Sequence, residues 1–117
     1  MKRKNLISFF STETSESLDN LDAIASVNGV DVLFVGPNDL SIALGVPGQF
    51  SSPLLLSAIE RVIQTANRHG KAAGIQCGNA EGAAEWRRKG MRFLSVSSEM
   101  GLLMKASKEA VEGMKRE

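Results

Sequence analysis

The chain has 117 residues and a net charge of +1, and 43% of its residues are hydrophobic. This composition suits one compact domain over residues 1–117, and 14 basic against 13 acidic residues exclude the basic excess of nucleic-acid binding proteins. No apolar run approaches the ~20 residues needed to span a bilayer. The start lacks a signal peptide's apolar core. The single cysteine cannot form an internal disulfide. We therefore expect a cytoplasmic protein with neither a membrane nor a nucleic-acid partner.

The first half of the chain alternates strand and helix patterns. Residues 5–12 favour a β-strand, and Thr14 can cap a helix over residues 16–26. The apolar residues of that helix fall on one stripe: Leu18, Leu21, Ile24 and Ala25. The nearly continuous apolar run over residues 30–35 is typical of a parallel strand buried on both faces. Residues 36–52 are interpreted as a long polar loop.

The second half continues the alternation. Ser52 and Pro53 indicate a helix start, since serine is a common N-cap and proline suits the first helical position; this helix ends at Gly70. Strands are predicted over residues 71–77 and 92–96, with a helix over residues 80–89 capped by Asn79. A final helix, capped by Ser98, runs to about residue 115, and five of its residues are expected to be buried: Met100, Leu103, Ala110, Val111 and Met114.

The order of these elements predicts the fold class. Four strands alternate with helices and no hairpin signal separates them, so the chain is an α/β protein of four βα units with a parallel sheet. Such units form either a small open sheet or half of a (β/α)₈ barrel, which typically needs ~250 residues. Periodicity alone leaves both possibilities open.

Two carboxylates follow the first two predicted strands. Glu13 comes just after the first strand, and Asp39 just after the second. Active sites of βα proteins lie at the carboxyl ends of the strands. Neighbouring strands are ~4.8 Å apart, so two such carboxylates can share one cation. Oxygen ligands favour a hard divalent ion such as magnesium or manganese. The alternative is that Glu13 is a helix-start acid and Asp39 a turn former.

The residues around these carboxylates resemble a known family. The runs F-S-T-E-T at residues 10–14 and G-P-N-D-L-S at residues 36–41 resemble the fifth and sixth βα units of the HpcH/HpaI aldolase/citrate lyase family. The run K-A-A-G-I at residues 71–75 is similar to its seventh strand, and residues 93–99 to its eighth strand and following helix. The resemblance implies the C-terminal half of a TIM (β/α)₈ barrel.

The family's activity is implied by the same resemblance. Its members cleave 4-hydroxy-2-oxo acids to pyruvate and an aldehyde, as metal-dependent class II aldolases. The residues that match its metal ligands are Glu13 and Asp39, for Mg²⁺, Mn²⁺ or Co²⁺. Ser11, Gly36 and Pro37, from the same motifs, are the substrate-binding candidates, with a small 2-oxo acid such as pyruvate as the ligand. We therefore expect a carbon–carbon lyase.

The sequence departs from the family pattern at two motifs. Ser11 stands where the family has a glutamine, and the run Ser97, Ser98, Glu99 replaces G-S-D. The family's histidine base and its arginine belong to the four preceding βα units. We therefore expect the catalytic base and arginine outside this half, and little activity from the chain alone.

Two other functions are considered beside the aldolase. One is a non-catalytic half-barrel that serves as an assembly or metal-binding module. The other is an independent small α/β domain that binds an anion. Divalent-metal binding would separate the first from the second, and proton exchange of pyruvate would separate an active half-barrel from an inactive one.

Several chemically notable residues are expected to be structural. His69 sits at a helix C-terminus, where a cation suits the helix dipole, at the end opposite the site. Cys77 is interpreted as a packed thiol and Trp86 as partly packed on its helix. The charged residues 2–4 and 115–116 are expected to be solvated ends. Residues 45–48 are a predicted turn.

Assembly is also expected. A half-barrel leaves bare edges on its first strand, near residues 6–10, and its last, near residues 93–96, and the inward faces of the middle strands lose cover. We predict a homo-oligomer, most simply a dimer in which each copy completes the other's barrel.

Overall fold

A computed structural model describes residues 6–116. Within these residues four strands alternate with helices. The strands are β1 (Phe9–Thr12), β2 (Val32–Val35), β3 (Ala72–Cys77) and β4 (Phe93–Val96). The helices are α1 (Ser15–Asp19), α2 (Leu21–Ala25), α3 (Pro37–Ala43), α4 (Pro53–Arg68), α5 (Ala80–Arg88) and α6 (Glu99–Met114).

The strands form one parallel sheet in the order β1-β2-β3-β4. This confirms the predicted α/β class of four βα units. Leu33 lies beside Ala73, and Val35 beside Ile75, so these four side chains point to the same side of the sheet. We call this side the helix-covered face, because α4 packs against β2 and β3, and α5 against β3 and β4. The opposite side is the open face.

The hydrophobic core lies between the helix-covered face and α4. Leu33, Val35 and Ile75 are at most 1% exposed, and from α4 they are met by buried residues such as Ile59 and Val62. Full burial of a side chain of this size stabilises the fold by about 1.5–3 kcal/mol. Helix α2 packs on α4, as does α3, and so extends the core towards the first two strands.

Three phenylalanine rings gather on the open face. The centroid of Phe9 is 6.0 Å from that of Phe34 and 4.7 Å from that of Phe93, and the rings meet edge to face. Gly74 lies beneath them: a Cβ atom there would be 3.0 Å from side-chain atoms of both Phe34 and Phe93. Phe9 remains 47% exposed and Phe93 36%. Their exposure lies at the outer strands, whereas Val32 on the second strand is buried.

The predicted loop over residues 36–52 was wrong in part, because it contains α3. Gly36 occupies the N-cap position, and Pro37 suits the first turn because its missing N–H needs no partner there. Leu40 is fully buried and anchors the helix. The predicted turn at residues 45–48 is present, with Gly45 and Gly48 at positive φ.

The predicted helix over residues 16–26 is interrupted. Helices α1 and α2 meet at Asn20, whose φ of −106° and ψ of 15° leave helical geometry. Its side-chain amide donates to the Glu16 carbonyl at 2.9 Å, which closes α1. The first strand is shorter than predicted: β1 begins at Phe9, residues 6–8 are not strand, and residue 5 lies outside the described residues.

Helix α6 contradicts the expected burial. None of its residues is buried, including Met100, Leu103, Ala110, Val111 and Met114. The reason is that no other element of the described chain covers its apolar side. The Cα radius of gyration, 16.8 Å, exceeds the ~13 Å expected for a compact chain of this length. No helix within residues 6–116 is long and apolar enough to cross a membrane.

Candidate functional site

The carboxyl ends of β1 and β2 bring Glu13 and Gly36 together. Thr12 pairs with Val35, and the next residues in this register are Glu13 and Gly36. A Cβ atom on Gly36 would lie 2.8 Å from Glu13 Oε1. Only glycine therefore leaves room for the carboxylate at this point. Because side chains alternate along a strand, Glu13 points to the same face as Ser11, the open face.

Ser11 supports the Glu13 carboxylate. Its hydroxyl donates to Glu13 Oε1 at 3.2 Å, from one pleat earlier on the same face. Glu13 forms no ion pair with a basic side chain of residues 6–116. A partly buried carboxylate with a hydroxyl donor and no cationic neighbour can still accept a cation.

Helix α3 contributes the remaining predicted residues. Pro37 occupies its first position, and Asp39 lies in its first turn. Asp39 is exposed and, like Glu13, has no ion pair with a described basic residue. Because α3 starts directly after β2, Asp39 lies at the same end of the sheet as Glu13.

These groups fit a hard divalent cation. The donor set is two carboxylates, with a glycine that clears space beside one of them. Magnesium and manganese favour such oxygen ligands and keep positions for water or substrate. Residues 6–116 contain no cluster of three or more His, Cys, Asp or Glu side chains able to hold a metal. Glu13 and Asp39 stay the ligands predicted from the sequence motifs.

A cavity of about 570 Å³ lies on the helix-covered side of β3, towards α4 and α5, and none of Ser11, Glu13, Gly36 and Asp39 lines it. Its lining includes Pro37 and Asn38 from the start of α3, together with Gln76 from the end of β3. Its interior is apolar and includes Leu55, Ile75 and Trp86. Pockets for small molecules usually have this volume and this combination of an apolar wall with a few polar groups.

Gln76 is a polar residue at this end of the sheet that the sequence interpretation did not single out. Gln76 lies beside Ser95 on β4, and one residue beyond the Val35–Ile75 pair, so it shares the level of Glu13 and Gly36 on the open face. Its amide donates to the Ser97 carbonyl at 2.8 Å. The sequence feature that could have identified Gln76 is its polar side chain near the end of β3, a strand whose other residues are mostly apolar.

Ser97 has an uncommon backbone. Its φ of 60° is the only positive value at a non-glycine residue among residues 6–116. Its N–H donates to the Cys77 carbonyl at 2.8 Å. A side chain in this left-handed region costs about 1–3 kcal/mol. The surrounding contacts therefore hold Ser97 in place beside the cavity.

The residues expected to be structural behave as such. His69 caps the C-terminus of α4, before β3 and away from the strand carboxyl ends, and its Nε2 is 3.2 Å from Asp22 Oδ1. Cys77 is 6% exposed, and burial raises the pKa of its thiol. Trp86 is partly buried against the core, with Lys89 Nζ 4.8 Å from its ring centroid. Residues 115–116 are exposed, and residues 2–4 lie outside the described residues.

The chain is similar in sequence to a known protein family. Residues 2–106 match the model of the HpcH/HpaI aldolase/citrate lyase family. The 5-keto-4-deoxy-D-glucarate aldolase of Shigella boydii is 35% identical over 113 residues. Its Escherichia coli counterparts match at the same level. The alignment covers 97% of this chain but 44% of these relatives, so the chain spans under half their length.

Solved structures agree on the fold. An HpcH/HpaI aldolase/citrate lyase family protein from Burkholderia cenocepacia superposes with a TM-score of 0.91 at 32% identity, covering 95% of this chain and 43% of that one. An HpcH/HpaI aldolase from Desulfitobacterium hafniense gives 0.87 at 27% identity, with the same coverage. The four βα units thus correspond to part of a TIM-barrel-like protein, as predicted.

Proposed function

The chain belongs to the HpcH/HpaI aldolase/citrate lyase family, and on that premise we propose that it carries the metal-binding part of an aldolase. The reaction would cleave a 4-hydroxy-2-oxo acid to pyruvate and an aldehyde. One observation supports this most: the Glu13 carboxylate occupies the space above Gly36, at the carboxyl ends of two neighbouring strands, without a basic partner in residues 6–116.

Each residue then has a role. Glu13 and Asp39 would hold Mg²⁺, Mn²⁺ or Co²⁺, and Ser11 orients the Glu13 carboxylate through its hydroxyl. Gly36 leaves the space that the Glu13 carboxylate needs, and Pro37 starts α3 directly after it. When bound, the cation would polarise the 2-oxo oxygen and stabilise the negative charge that develops on it.

The cleavage also needs proton transfer. A base must take the proton of the 4-hydroxyl group while the C3–C4 bond breaks, and the three-carbon fragment must gain a proton to become pyruvate. The only histidine of the chain, His69, caps the other end of α4. A missing acid–base group typically lowers the rate 10²–10⁴-fold. We therefore expect little aldol cleavage from this chain by itself, and robust turnover would contradict this expectation.

Metal titration tests the proposal without requiring turnover. Manganese binding is measured by water-proton relaxation, with and without pyruvate, in the wild type and in Asp39→Ala. We expect weak binding that pyruvate strengthens, and at least a ~10-fold loss in Asp39→Ala, because one of two charged ligands is gone. Equal binding by the variant would refute the assignment.

Glu81→Ala is the matched control. Glu81 is an exposed carboxylate in the first turn of α5, as Asp39 is in the first turn of α3. Both substitutions remove one negative charge at a helix start. The control variant should bind manganese as the wild type does. A similar loss in both variants would indicate general charge attraction in place of a site.

A non-catalytic metal-binding half-barrel is the second candidate. The supporting observation is that the described chain has no histidine near the strand carboxyl ends. Loss of deuterium from deuterated pyruvate, in the presence of manganese, separates this candidate from an active one. The third candidate, an unrelated anion-binding domain, required an accidental resemblance, and the family match does not support it.

We also propose that the chain assembles with copies of itself. Within residues 6–116, β1 and β4 are the outer strands of the sheet, and three phenylalanines lie on its open face. Helix α6 adds an uncovered apolar side. Unpaired strand edges and apolar patches promote association. Light scattering that finds a stable monomer at micromolar concentration would refute this proposal.

A further inference from the structure

The carboxamide of Gln76 is fixed in one orientation. Its Nε2 donates to the Ser97 carbonyl at 2.8 Å and approaches the Cys77 carbonyl at 3.4 Å. Both partners are carbonyl oxygens, which can only accept, so the amide must turn its nitrogen towards them. Both N–H groups are then engaged, and Oε1 is left as an acceptor without a partner among the described residues.

The backbone of Ser97 helps to maintain this arrangement. The positive φ of Ser97 directs its carbonyl, while its own N–H is bound to Cys77. A strained residue of this kind persists where surrounding contacts determine its conformation, and such residues concentrate at ligand sites. The cavity that Gln76, Ser97 and Pro37 line extends behind β3 towards α4 and α5, whereas the Gln76 side chain points to the open face, as Glu13 does.

We propose that Gln76 is a specificity-determining residue that accepts a hydrogen bond from a substrate hydroxyl group beyond the 2-oxo acid portion. This inference rests on the proposed function, since Glu13 and Asp39 must hold the 2-oxo acid end. A group that only accepts recognises a donor, and a substrate hydroxyl is a donor whereas a carboxylate is not. The group that Gln76 recognises is therefore a hydroxyl of the proposed hydroxylated 2-oxo acid.

The spacing of the sheet sets the length of this substrate. Glu13 and Gln76 share one level but stand on β1 and β3, two strand spacings or about 10 Å apart. Three backbone bonds extend over about 3.5 Å, so pyruvate, with two carbon–carbon bonds, covers only a small part of this spacing. A six-carbon chain covers about 6 Å by the same geometry, and a hydrogen bond of about 2.8 Å completes the distance.

Two ligands of equal length test the inference. 5-Keto-4-deoxy-D-glucarate and 2-oxoadipate are both six-carbon 2-oxo diacids, and only the first carries hydroxyl groups. Their affinities, and that of pyruvate, are measured by calorimetry with the full chain and manganese, in the wild type and in Gln76→Met. Methionine keeps the approximate length of the side chain and removes its hydrogen-bonding groups.

We expect the wild type to prefer the hydroxylated acid, and Gln76→Met to reduce that preference by about 2- to 10-fold, the usual worth of one hydrogen bond. Affinity for pyruvate and for 2-oxoadipate should stay within about 2-fold. Ser95→Ala, which changes the neighbouring open-face position on β4, should behave as the wild type. An equal change in affinity for both diacids, or no preference in the wild type, would overturn the inference. If pyruvate still binds in that case, the proposed function is not contradicted.

A second measurement avoids any loss of folding in the variant. The side-chain amide of Gln76 in the wild type is followed by NMR as each diacid is added. Its resonances should shift with the hydroxylated acid and stay in place with 2-oxoadipate. Equal shifts would overturn the role of Gln76, and failure of pyruvate itself to bind would overturn the proposed function together with it.

Discussion

Helices α4 and α6 have the same length, 16 residues, and opposite surroundings. Seven residues of α4 are buried, and Leu55, Ile59 and Val62 are at most 2% exposed. No residue of α6 is buried, although it carries a row of large apolar side chains on one side: Met100, Leu103, Met104, Val111 and Met114. An apolar stripe therefore indicates that a helix packs against another surface, but it does not identify that surface.

The difference lies in what each helix meets. Helix α4 packs against β2 and β3, whose side chains on the helix-covered face are as apolar as its own. Helix α6 follows β4, whose Leu94 is only partly buried and whose Val96 is 41% exposed. Both the helix and the strand before it thus retain apolar surface that a second copy could cover.

The largest expected effect separates the two helices directly. Leu55→Ala in α4 should lower the free energy of unfolding by about 2–5 kcal/mol, because it removes contacts of a buried leucine. The matched change Leu103→Ala in α6 should cost less than about 0.5 kcal/mol in the monomer, since Leu103 is 64% exposed. Urea unfolding at low protein concentration measures both. Similar losses would show that α6 is packed within the chain.

Self-association should depend on α6, whereas the stability of the monomer depends on α4. Leu103→Glu places a charge on the apolar side of α6 and should weaken self-association by ~10-fold or more, about 1.4 kcal/mol. Lys105→Glu places a carboxylate on the side of α6 that faces away from Leu103 and should leave association unchanged. Light scattering over a concentration series measures both variants. If the two behave alike, the apolar side of α6 is not the contact surface.

Where local chemistry decides the structure, the sequence predicted it well. Side-chain caps form at Thr14, Asn79 and Ser98 as predicted, each accepting from a backbone N–H three residues later. Ser52 occupies its N-cap position but makes no side-chain cap bond. Strand-end reasoning also placed Glu13 beside the second strand, where Gly36 receives it.

What the sequence missed depends on tertiary contacts. Helix α3 was interpreted as loop because Pro37, Asn38 and Asp39 are common turn residues, whereas the burial of Leu40 and Ser41 stabilises this segment as a helix. The exposure of α6 could not be read from its periodicity. Gln76 became notable only through the Ser97 carbonyl, whose direction follows from a backbone angle.

Two adjacent serines between β4 and α6 should give smaller changes in the free energy of unfolding, and the two changes should have opposite signs. Ser97→Gly should stabilise the chain by about 0.5–1 kcal/mol, because glycine adopts a φ of 60° without the cost to a side chain. Ser98→Ala should destabilise it by about 1 kcal/mol, since it removes the hydroxyl that accepts from the Gly101 N–H. Urea unfolding of both variants measures this. Destabilisation by Ser97→Gly would contradict the assigned strain.

The smallest expected effect concerns an ion pair on the packed side. Asp22 of α2 lies 2.8 Å from Arg68 Nη2 and 3.2 Å from His69 Nε2, and so links α2 to the end of α4. The hydrogen bond from His69, followed by the charge of Arg68, holds the pKa of Asp22 below its usual 3.8. A carboxylate with a lowered folded-state pKa contributes stability that is complete above the unfolded value and lost as pH falls through the folded value.

The expected stability difference is therefore present at neutral pH and lost in acid. Asp22→Asn should lower stability slightly at neutral pH, and its difference from the wild type should disappear as pH falls below about 3.8. Asp22 is exposed, so solvent screening keeps the effect small. Asp19→Asn, an exposed carboxylate on α1 without an ion pair among residues 6–116, is the control. The free energy of unfolding of both variants and the wild type is measured from about pH 5 to pH 3. A large difference that persists in acid would mean that polar contacts, beside the apolar core, hold α2 against α4.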